Sequence, residues 1–304
     1  MSAKKTDSRK VKVQPDANAN AVTKKRIEVR KTYKLFIDGK FPRSESGRVY
    51  PVLDAAGLLI ANACRASRKD LRDSIVSNRK AFPGWSSRSA YNKGQILYRI
   101  AETLEDRRAQ FTALMVRQGF SAVQAEKEVT AAADLLVHYA GWTDKYIQLF
   151  SAVNPVESSH FNFSYPEPLG VVTLVAPTSS ALLGWVAMLA PVLAGGNVCT
   201  VLAVDKYALS AVDFSEVLHA SDVPAGVVNI LTGFRKELIG HASSHMDVNG
   251  IGFADLTPEE RKQTETNAAL NVKRVLDFSE ALRPSPYHIM AAQEIKTTWH
   301  PVGA

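Results

Sequence analysis

The sequence predicts an α/β fold built on a doubly wound parallel sheet, with a hairpin and a group of helices ahead of it. Short, fully apolar runs rich in β-branched residues recur after residue 168, as strands buried on both faces require. Helical segments separate these runs, and this alternation is typical of parallel sheets. The segments between residues 67 and 146 have helical periodicity instead.

The composition predicts a globular protein with a large core. Of 304 residues, 46% are hydrophobic and 22% are charged. No apolar run is long enough to span a membrane, and the N-terminal residues lack the apolar region of a secretory signal. The two cysteines, Cys64 and Cys199, are too few for a disulfide framework and fit a reducing compartment. We therefore expect a cytoplasmic protein without a membrane span.

Basic charge is concentrated at the N-terminus. Residues 1–31 hold ten Lys and Arg against three acidic residues, whereas the rest of the chain holds 27 of each sign. Nucleic-acid-binding folds place their excess charge on one folded face, so this pattern argues against a nucleic-acid partner. Because it has almost no large apolar residues, this basic arm is expected to be disordered, or ordered only against a partner.

The first folded elements are predicted to be a hairpin and three helices. Residues 33–38 alternate like a half-buried strand, and residues 48–50 form its partner after a turn. Residues 67–70, Ser-Arg-Lys-Asp, form a capping box that opens the first helix. Apolar residues at three- and four-residue steps predict a second helix over residues 96–115 and a third over 129–146.

The second half of the chain alternates between strand and helix. Strands are predicted at residues 169–175, 198–202, 227–231, 251–253 and 272–276. Helices between them are predicted at residues 181–193, at 210–220, after residue 231, and at 258–269. The end of the chain, residues 295–304, contains a proline and is predicted to be irregular.

Four strings in this order resemble the aldehyde dehydrogenase superfamily. Residues 139–146 are similar to the family's helix before its oligomerisation strand, and residues 168–172 to the start of its first cofactor-domain strand. Residues 190–197 are similar to the family's Ala-Pro-Ala-Leu-Ala-Ala-Gly-Asn, and residues 224–233 to its Pro-Pro-Gly-Val-Val-Asn-Ile-Val-Thr-Gly. The resemblance implies an aldehyde dehydrogenase-like fold with a Rossmann-type sheet, and NAD or NADP as the cofactor.

The resemblance also indicates which residues stand at the family's cofactor positions. The oxyanion-donating asparagine of Pro-Trp-Asn-Phe-Pro corresponds to Ser179. The lysine and glutamate of Lys-Pro-Ser-Glu correspond to Leu202 and Asp205, and two glycines that let the backbone approach the dinucleotide correspond to Arg235 and Asp255. Only a vestigial cofactor site is therefore expected, and it consists of Ala176, Pro177, Thr178, Ser179, Asp205 and Phe253.

No catalytic residue and no metal site are predicted. The family's general-base glutamate corresponds to Phe278, and its nucleophilic cysteine would follow in a catalytic domain that we expect to be largely missing. Neither Cys64, before the first helix, nor Cys199, in a predicted buried strand, is expected to replace it. The expected domains are a disordered basic arm (1–31), an aldehyde dehydrogenase-like cofactor-binding domain (32–278) and a short C-terminal remnant (279–304).

Three hypotheses about function follow. The first is a non-catalytic structural or regulatory subunit, a pseudoenzyme that forms a homo-oligomer or a hetero-oligomer with a full-length aldehyde dehydrogenase. The second is an NAD(P)-dependent aldehyde oxidoreductase with non-standard catalytic residues. The third is a tethering protein that acts through its basic N-terminal arm.

Several polar and aromatic residues are interpreted as structural. His241 and His245 share i, i+4 spacing without an apparent third ligand, so they are expected to be surface histidines. The unbroken apolar segment 182–193 indicates a central core helix. A solvated helix face is expected for three acidic residues, Asp213, Glu216 and Asp222.

Overall fold

A computed structural model describes residues 31–303, so the predicted basic arm lies outside the described residues except for Lys31. The described chain begins with a three-stranded sheet of β1 (Thr32–Tyr33), β2 (Val49–Leu53) and β3 (Leu59–Cys64). Strand β3 is central, and it pairs in parallel with β1 and antiparallel with β2.

The predicted hairpin between residues 33–38 and 48–50 is wrong. The antiparallel partner of β2 is β3, and Phe36 instead forms an antiparallel bridge with Ile230. Leu35 and Phe36 are almost completely buried, because this segment packs against the core around the larger sheet. The predicted turn at residues 38–40 does form, because Ile37 and Lys40 exchange two hydrogen bonds across it, but burial of Phe36 decides the strand's partner.

Five helices follow, and the first begins at the predicted capping box. They are α1 (Arg68–Ser86), α2 (Ala90–Asp106), α3 (Arg108–Arg117), α4 (Ala122–Ala140) and α5 (Tyr146–Phe150). The single helix predicted over residues 96–115 is two helices, since the backbone leaves α geometry at Arg107 (φ −94°, ψ 10°). The helix predicted up to residue 146 stops earlier, at Gly141, and a turn separates α4 from α5.

The predicted doubly wound parallel sheet is confirmed. After two outer strands, β4 (Ala152–Asn154) and β5 (His160–Pro168), the central strands and helices follow in alternation. The strands are β6 (Val171–Val175), β7 (Val198–Leu202), β8 (Val228–Leu231), β9 (Gly250–Phe253) and β10 (Arg274–Asp277). The helices are α6 (Leu183–Ala194), α7 (Ala208–Ala220), α8 (Arg235–Ser244) and α9 (Pro258–Ala269).

The strand order β10-β9-β6-β7-β8 places the first strand of the sheet in its middle. The chain adds β7 and β8 on one side of β6, and then returns to add β9 and β10 on the other. Every residue of β6, β7, β8 and β9 is buried, which explains why these strands are mostly apolar and do not alternate with polar residues.

The end of the chain is a strand, so the prediction that it is irregular is wrong. After α10 (Pro286–Ala291), β11 (Gln293–Pro301) pairs antiparallel with β5 over nine residues. The resulting sheet has the order β11-β5-β4. Most of β11 is exposed, so its sequence lacks the apolar pattern of a buried strand, and only pairing with β5 defines it.

Helix α6 forms the centre of the core. Eleven of its twelve residues are buried, including Trp185, which confirms the predicted core helix. Trp185 meets Phe214 of α7 edge to face, with ring centroids 4.9 Å apart. Among residues 31–303, no helix has both the length and the apolarity that crossing a bilayer requires.

The predicted solvated acidic face is wrong for Asp213, which lies on α7, and Asp222 lies beyond the end of that helix. Asp213 is only 4% exposed, whereas Glu216 is partly exposed and Asp222 is exposed. Asp213 Oδ2 accepts a hydrogen bond from Gln110 Nε2 at 3.2 Å, and Lys31 Nζ lies 3.7 Å from Oδ1. Burial raises the pKa of this carboxyl group, because it disfavours the charged form.

Candidate functional site

The direction of strand addition reverses between β6 and β9, and a crevice lies beside this point, at the carboxyl ends of β6, β7 and β8. Open α/β sheets bind ligands at such switch points, since loops from neighbouring strands separate there. The crevice contains a cavity of about 430 Å³. It is lined by Ala176, Thr178, Leu202, Ala203, Val204, Asp205, Phe234, Arg235 and Lys236.

Three of the six residues predicted to contact a cofactor line this cavity, namely Ala176, Thr178 and Asp205. Ala176 is buried, and its N–H donates to Leu202 O at 3.0 Å, which continues the pairing of β6 with β7. Asp205 begins a 3-10 helix, and its backbone carbonyl accepts a hydrogen bond from Tyr50 Oη at 3.2 Å. The carbonyl contact holds the loop after β7 against β2.

The other three predicted residues do not line the cavity. Pro177 is buried, and its ring contacts α6 so closely that a Cβ on Gly184 would lie 2.5 Å from Pro177 Cγ. Phe253 is 2% exposed, and the guanidinium of Arg261 lies over its ring, 5.5 Å from the centroid. Ser179 is exposed next to Thr178. Pro177 and Phe253 are therefore packed inside the protein and do not face the crevice.

The loops after β6 and β9 are joined by one side chain, that of Asp255. Its Oδ2 accepts hydrogen bonds from the backbone N–H and the hydroxyl of Thr178, both at 2.6 Å. Its Oδ1 accepts a hydrogen bond at 2.9 Å from Nη1 of Arg235, which is the first residue of α8. Arg235 Nε also lies 3.4 Å from Glu260 Oε1 of α9. We call these four residues, Thr178, Arg235, Asp255 and Glu260, the crevice cluster.

A second carboxylate lies at the N-terminus of α6. Leu182 precedes this helix, and its N–H donates to Glu128 Oε2 of α4 at 3.1 Å. The N–H of Gly184 donates to Ser180 Oγ at 2.7 Å. Two amides at a helix end, which ordinarily attract anions, are therefore already bonded within the protein.

The crevice does not fit the phosphates of NAD or NADP in the way that the resemblance implies. Phosphate recognition needs free N–H donors and basic side chains, with room for the backbone to approach. Here the Thr178 amide and Arg235 are bonded to Asp255, and Leu202 offers no charge at the position of the family's lysine. Asp255 also places a negative charge against two residues that line the crevice, Thr178 and Arg235, where it would repel a phosphate group.

The described thiols are not placed to act as nucleophiles. Cys199 lies fully buried in β7, and burial raises the pKa of its thiol far above the ordinary value. Cys64 is 1% exposed at the end of β3. Phe278, at the position of the family's general base, is buried against β9, where a Cβ on Gly252 would lie 2.8 Å from Phe278 Cε2.

The two histidines singled out in the sequence do not form a metal site. His241 lies in α8, and His245 follows the last residue of that helix. Both line a surface cavity with three arginines, one lysine and one carboxylate, Glu45, so the excess positive charge there would repel a metal cation. No group of three potential metal ligands occurs within residues 31–303.

Sequence reasoning identified Arg235 and Asp255 as unusual residues but missed their contact, and it missed Glu128 and Glu260 altogether. A signal for Glu260 was present, because Thr257-Pro-Glu-Glu260 is a capping box, and both of its reciprocal hydrogen bonds form at the start of α9. No local pattern indicates Glu128, which lies 54 residues from its partner amide.

The fold and the crevice together define an α/β protein of the NAD(P)-binding structural class. The sheet is parallel and doubly wound, and its crevice lies beside the topological switch point. Comparison with known proteins narrows this class to one family.

The family model described as "Aldehyde dehydrogenase family" matches residues 41–276, and the chain belongs to this family. An aldehyde dehydrogenase from Aspergillus niger is 28% identical over 264 residues, which cover 86% of this chain and 52% of the relative. Retinal dehydrogenase 2 from Gallus gallus is 31% identical over 255 residues, which cover 82% of this chain and 48% of the relative. The chain spans about half the length of the curated relatives it matches.

Solved structures show the same fold. The NAD+ complex of aldehyde dehydrogenase from Bacillus cereus superposes with a TM-score of 0.77 at 23% identity. The superposition covers 81% of this chain and 50% of that chain. This similarity confirms the predicted aldehyde dehydrogenase-like fold.

Proposed function

We propose that this chain acts as a non-catalytic subunit that associates with a full-length aldehyde dehydrogenase. The observation that carries the proposal is which residues stand at the family's catalytic positions in the described chain. Ser179 and Phe278 stand where the family has its oxyanion donor and its general base. Both cysteines are buried, so neither offers a thiolate to an aldehyde.

The proposed partner contact is the face of the outer sheet that carries Val153, Phe161, Phe163 and Tyr165, called here the aromatic face. Phe161, Phe163 and Tyr165 alternate along β5, with successive ring centroids 5.5 and 5.9 Å apart. Val153 pairs with Phe163 across the strands and is 68% exposed, and Phe161 is 45% exposed. A cluster of exposed apolar side chains of this kind favours association.

The length and the fold of the relatives indicate a full-length aldehyde dehydrogenase as the partner. Relatives of about twice this length share the fold of residues 41–276, and they contain further chain that is not matched here. A full-length relative therefore offers surfaces that a second copy of the matched region does not. Association of two copies through their aromatic faces is the alternative outcome of the experiment.

The test is the native mass of the tagged chain purified gently from its own cells, with every co-purified protein identified. We expect a stoichiometric full-length aldehyde dehydrogenase. Phe161→Glu places a charge on the aromatic face and is expected to abolish this association. Val76→Glu is the matched control, since Val76 is 55% exposed on α1 and lies outside the aromatic face.

Two results would contradict the proposal. One is a monomer, or a homo-oligomer alone, that has no affinity for a full-length aldehyde dehydrogenase. The other is aldehyde-dependent NADH formation by the pure chain that disappears in Cys199→Ala, because the chain would then contain its own nucleophile.

A further inference from the structure

The crevice cluster occupies the place where a ligand of this fold class would bind. Thr178 follows β6 and Asp255 follows β9, so the bonds between them cross the switch point. Arg235 and Asp255 are only partly exposed, with 17% and 28% of their side chains accessible. Water therefore screens this contact less than it screens an ordinary surface ion pair.

The donors in the crevice cluster are of the kind that bind a phosphate group. A backbone N–H, a hydroxyl and a guanidinium converge on one point, and that point is the carboxylate of Asp255. Arg is well suited to phosphate because its planar guanidinium offers two parallel donors. The structure thus contains an anion site whose anion is one of the protein's own side chains.

We propose that Asp255 is an internal substitute for a phosphate and keeps NAD, NADP and other nucleotides out of the crevice. It acts in two ways. Its oxygens accept the hydrogen bonds that Thr178 and Arg235 could otherwise donate to a ligand, and its charge repels an incoming phosphate. Glu260 contributes by holding Arg235 from its other side, at 3.4 Å. This inference concerns the free chain and is independent of the proposed partner.

Removal of the carboxylate is expected to create an anion site. In Asp255→Ala, the Thr178 donors and the Nη1 group of Arg235 have no internal acceptor among the contacts described above. Asp255→Asn removes the charge but keeps an oxygen for Thr178, so it separates repulsion from the loss of donors. Asp277→Ala is the control, because Asp277 pairs with Arg261 at 3.2 Å outside the crevice cluster.

The experiment is calorimetric titration of the purified chain with NADH, ADP and inorganic phosphate. We expect Asp255→Ala to bind ADP and NADH at least tenfold more tightly than the unmodified chain, and Asp255→Asn to lie between them. Asp277→Ala should match the unmodified chain. Adding Arg235→Ala to Asp255→Ala should remove the gain, which identifies the guanidinium as the anion-recognising group.

Circular dichroism establishes whether each variant is folded. If Asp255→Ala does not fold, the nearly isosteric Asp255→Asn is the variant whose binding of ADP and NADH tests the proposal. The proposal is overturned if the unmodified chain binds NADH as tightly as the folded variants do. It is equally overturned if the folded Asp255 variants bind ADP and phosphate no better than Asp277→Ala.

Discussion

Asn78 ties helix α1 to the central sheet, and its replacement by alanine is expected to destabilise the whole fold. The side chain is completely buried. Its amide nitrogen donates to Cys199 O at 3.0 Å and to Gly226 O at 2.7 Å. Its Oδ1 accepts a hydrogen bond from Thr200 Oγ1 at 2.5 Å. One side chain thereby connects α1 with β7 and with the turn before β8.

The expected loss follows from counting the groups that lose a partner. Asn78→Ala deprives two buried carbonyls of a donor, whereas the Thr200 hydroxyl keeps a contact with Ser74 Oγ at 3.2 Å. A buried polar group without its partner costs about 1–3 kcal/mol. Two such groups give a loss of roughly 2–6 kcal/mol, which is a large part of the roughly 5–15 kcal/mol that ordinarily separates folded from unfolded chains.

The measurement is urea unfolding followed by circular dichroism and by fluorescence of the buried Trp85 and Trp185. A lower midpoint with an unchanged dependence on urea indicates a change in stability alone. Asn92→Ala is the matched control, since Asn92 on α2 accepts an exposed hydrogen bond from Arg88, and a change within about 0.5 kcal/mol is expected. A loss below about 1 kcal/mol in Asn78→Ala, or one equal to that of the control, would refute this reasoning.

Three further predictions concern packing, pH and thiol reactivity. Gly252→Ala places a Cβ 2.8 Å from Phe278 Cε2, so unfolding in urea should show a loss of about 1–3 kcal/mol, whereas Gly84→Ala has open space and should be neutral or stabilising. Burial lowers the pKa of Lys273 to about 8, so the unfolded chain holds its proton more tightly; the free energy of unfolding should rise from pH 8 to 10 by an increment that Lys273→Met lacks. Iodoacetamide should label Cys199 in urea but not in the native chain, and rapid native labelling detected by mass spectrometry would contradict its burial.

The parts of the fold that could be predicted are those in which local sequence and burial agree. Strand β7 was predicted with its observed ends, because a strand buried on both faces is mostly apolar along its whole length. Helix α9 was also predicted with its observed ends, although almost all of it is polar, and in the structure its first residue is a proline that follows the capping residue Thr257. Burial signals and capping signals are both local, and so both can be read from sequence.

The parts that could not be predicted depend on distant partners. Residues 33–38 alternate like a strand, but Phe36 joins Ile230, almost two hundred residues away. Strand β11 is mostly exposed and acquires its conformation from β5, more than 120 residues earlier. Local propensity has little influence on such pairings, because tertiary contacts decide which strand is adjacent.

The candidate site was predicted in its positions but not in its contacts. Alignment with the family's glycines identified Arg235 and Asp255 as departures, yet only the folded chain brings them within 2.9 Å of each other. Asp213 was misjudged for a related reason. A charged residue on a helix is ordinarily solvated, and its burial is apparent only once Lys31 and Gln110 are seen to approach it.

The burial of helix α6 has a consequence for how the chain folds. The helix has no polar side, and it is covered by α2 and α4 from one part of the chain and by α10 from another. Residues 286–291 therefore complete a cover for a segment synthesised about a hundred residues earlier. Until they emerge from the ribosome, the part of this apolar helix that α10 covers remains open to water, to chaperones and to other nascent chains. The yield of native protein should therefore fall as the rate of expression rises.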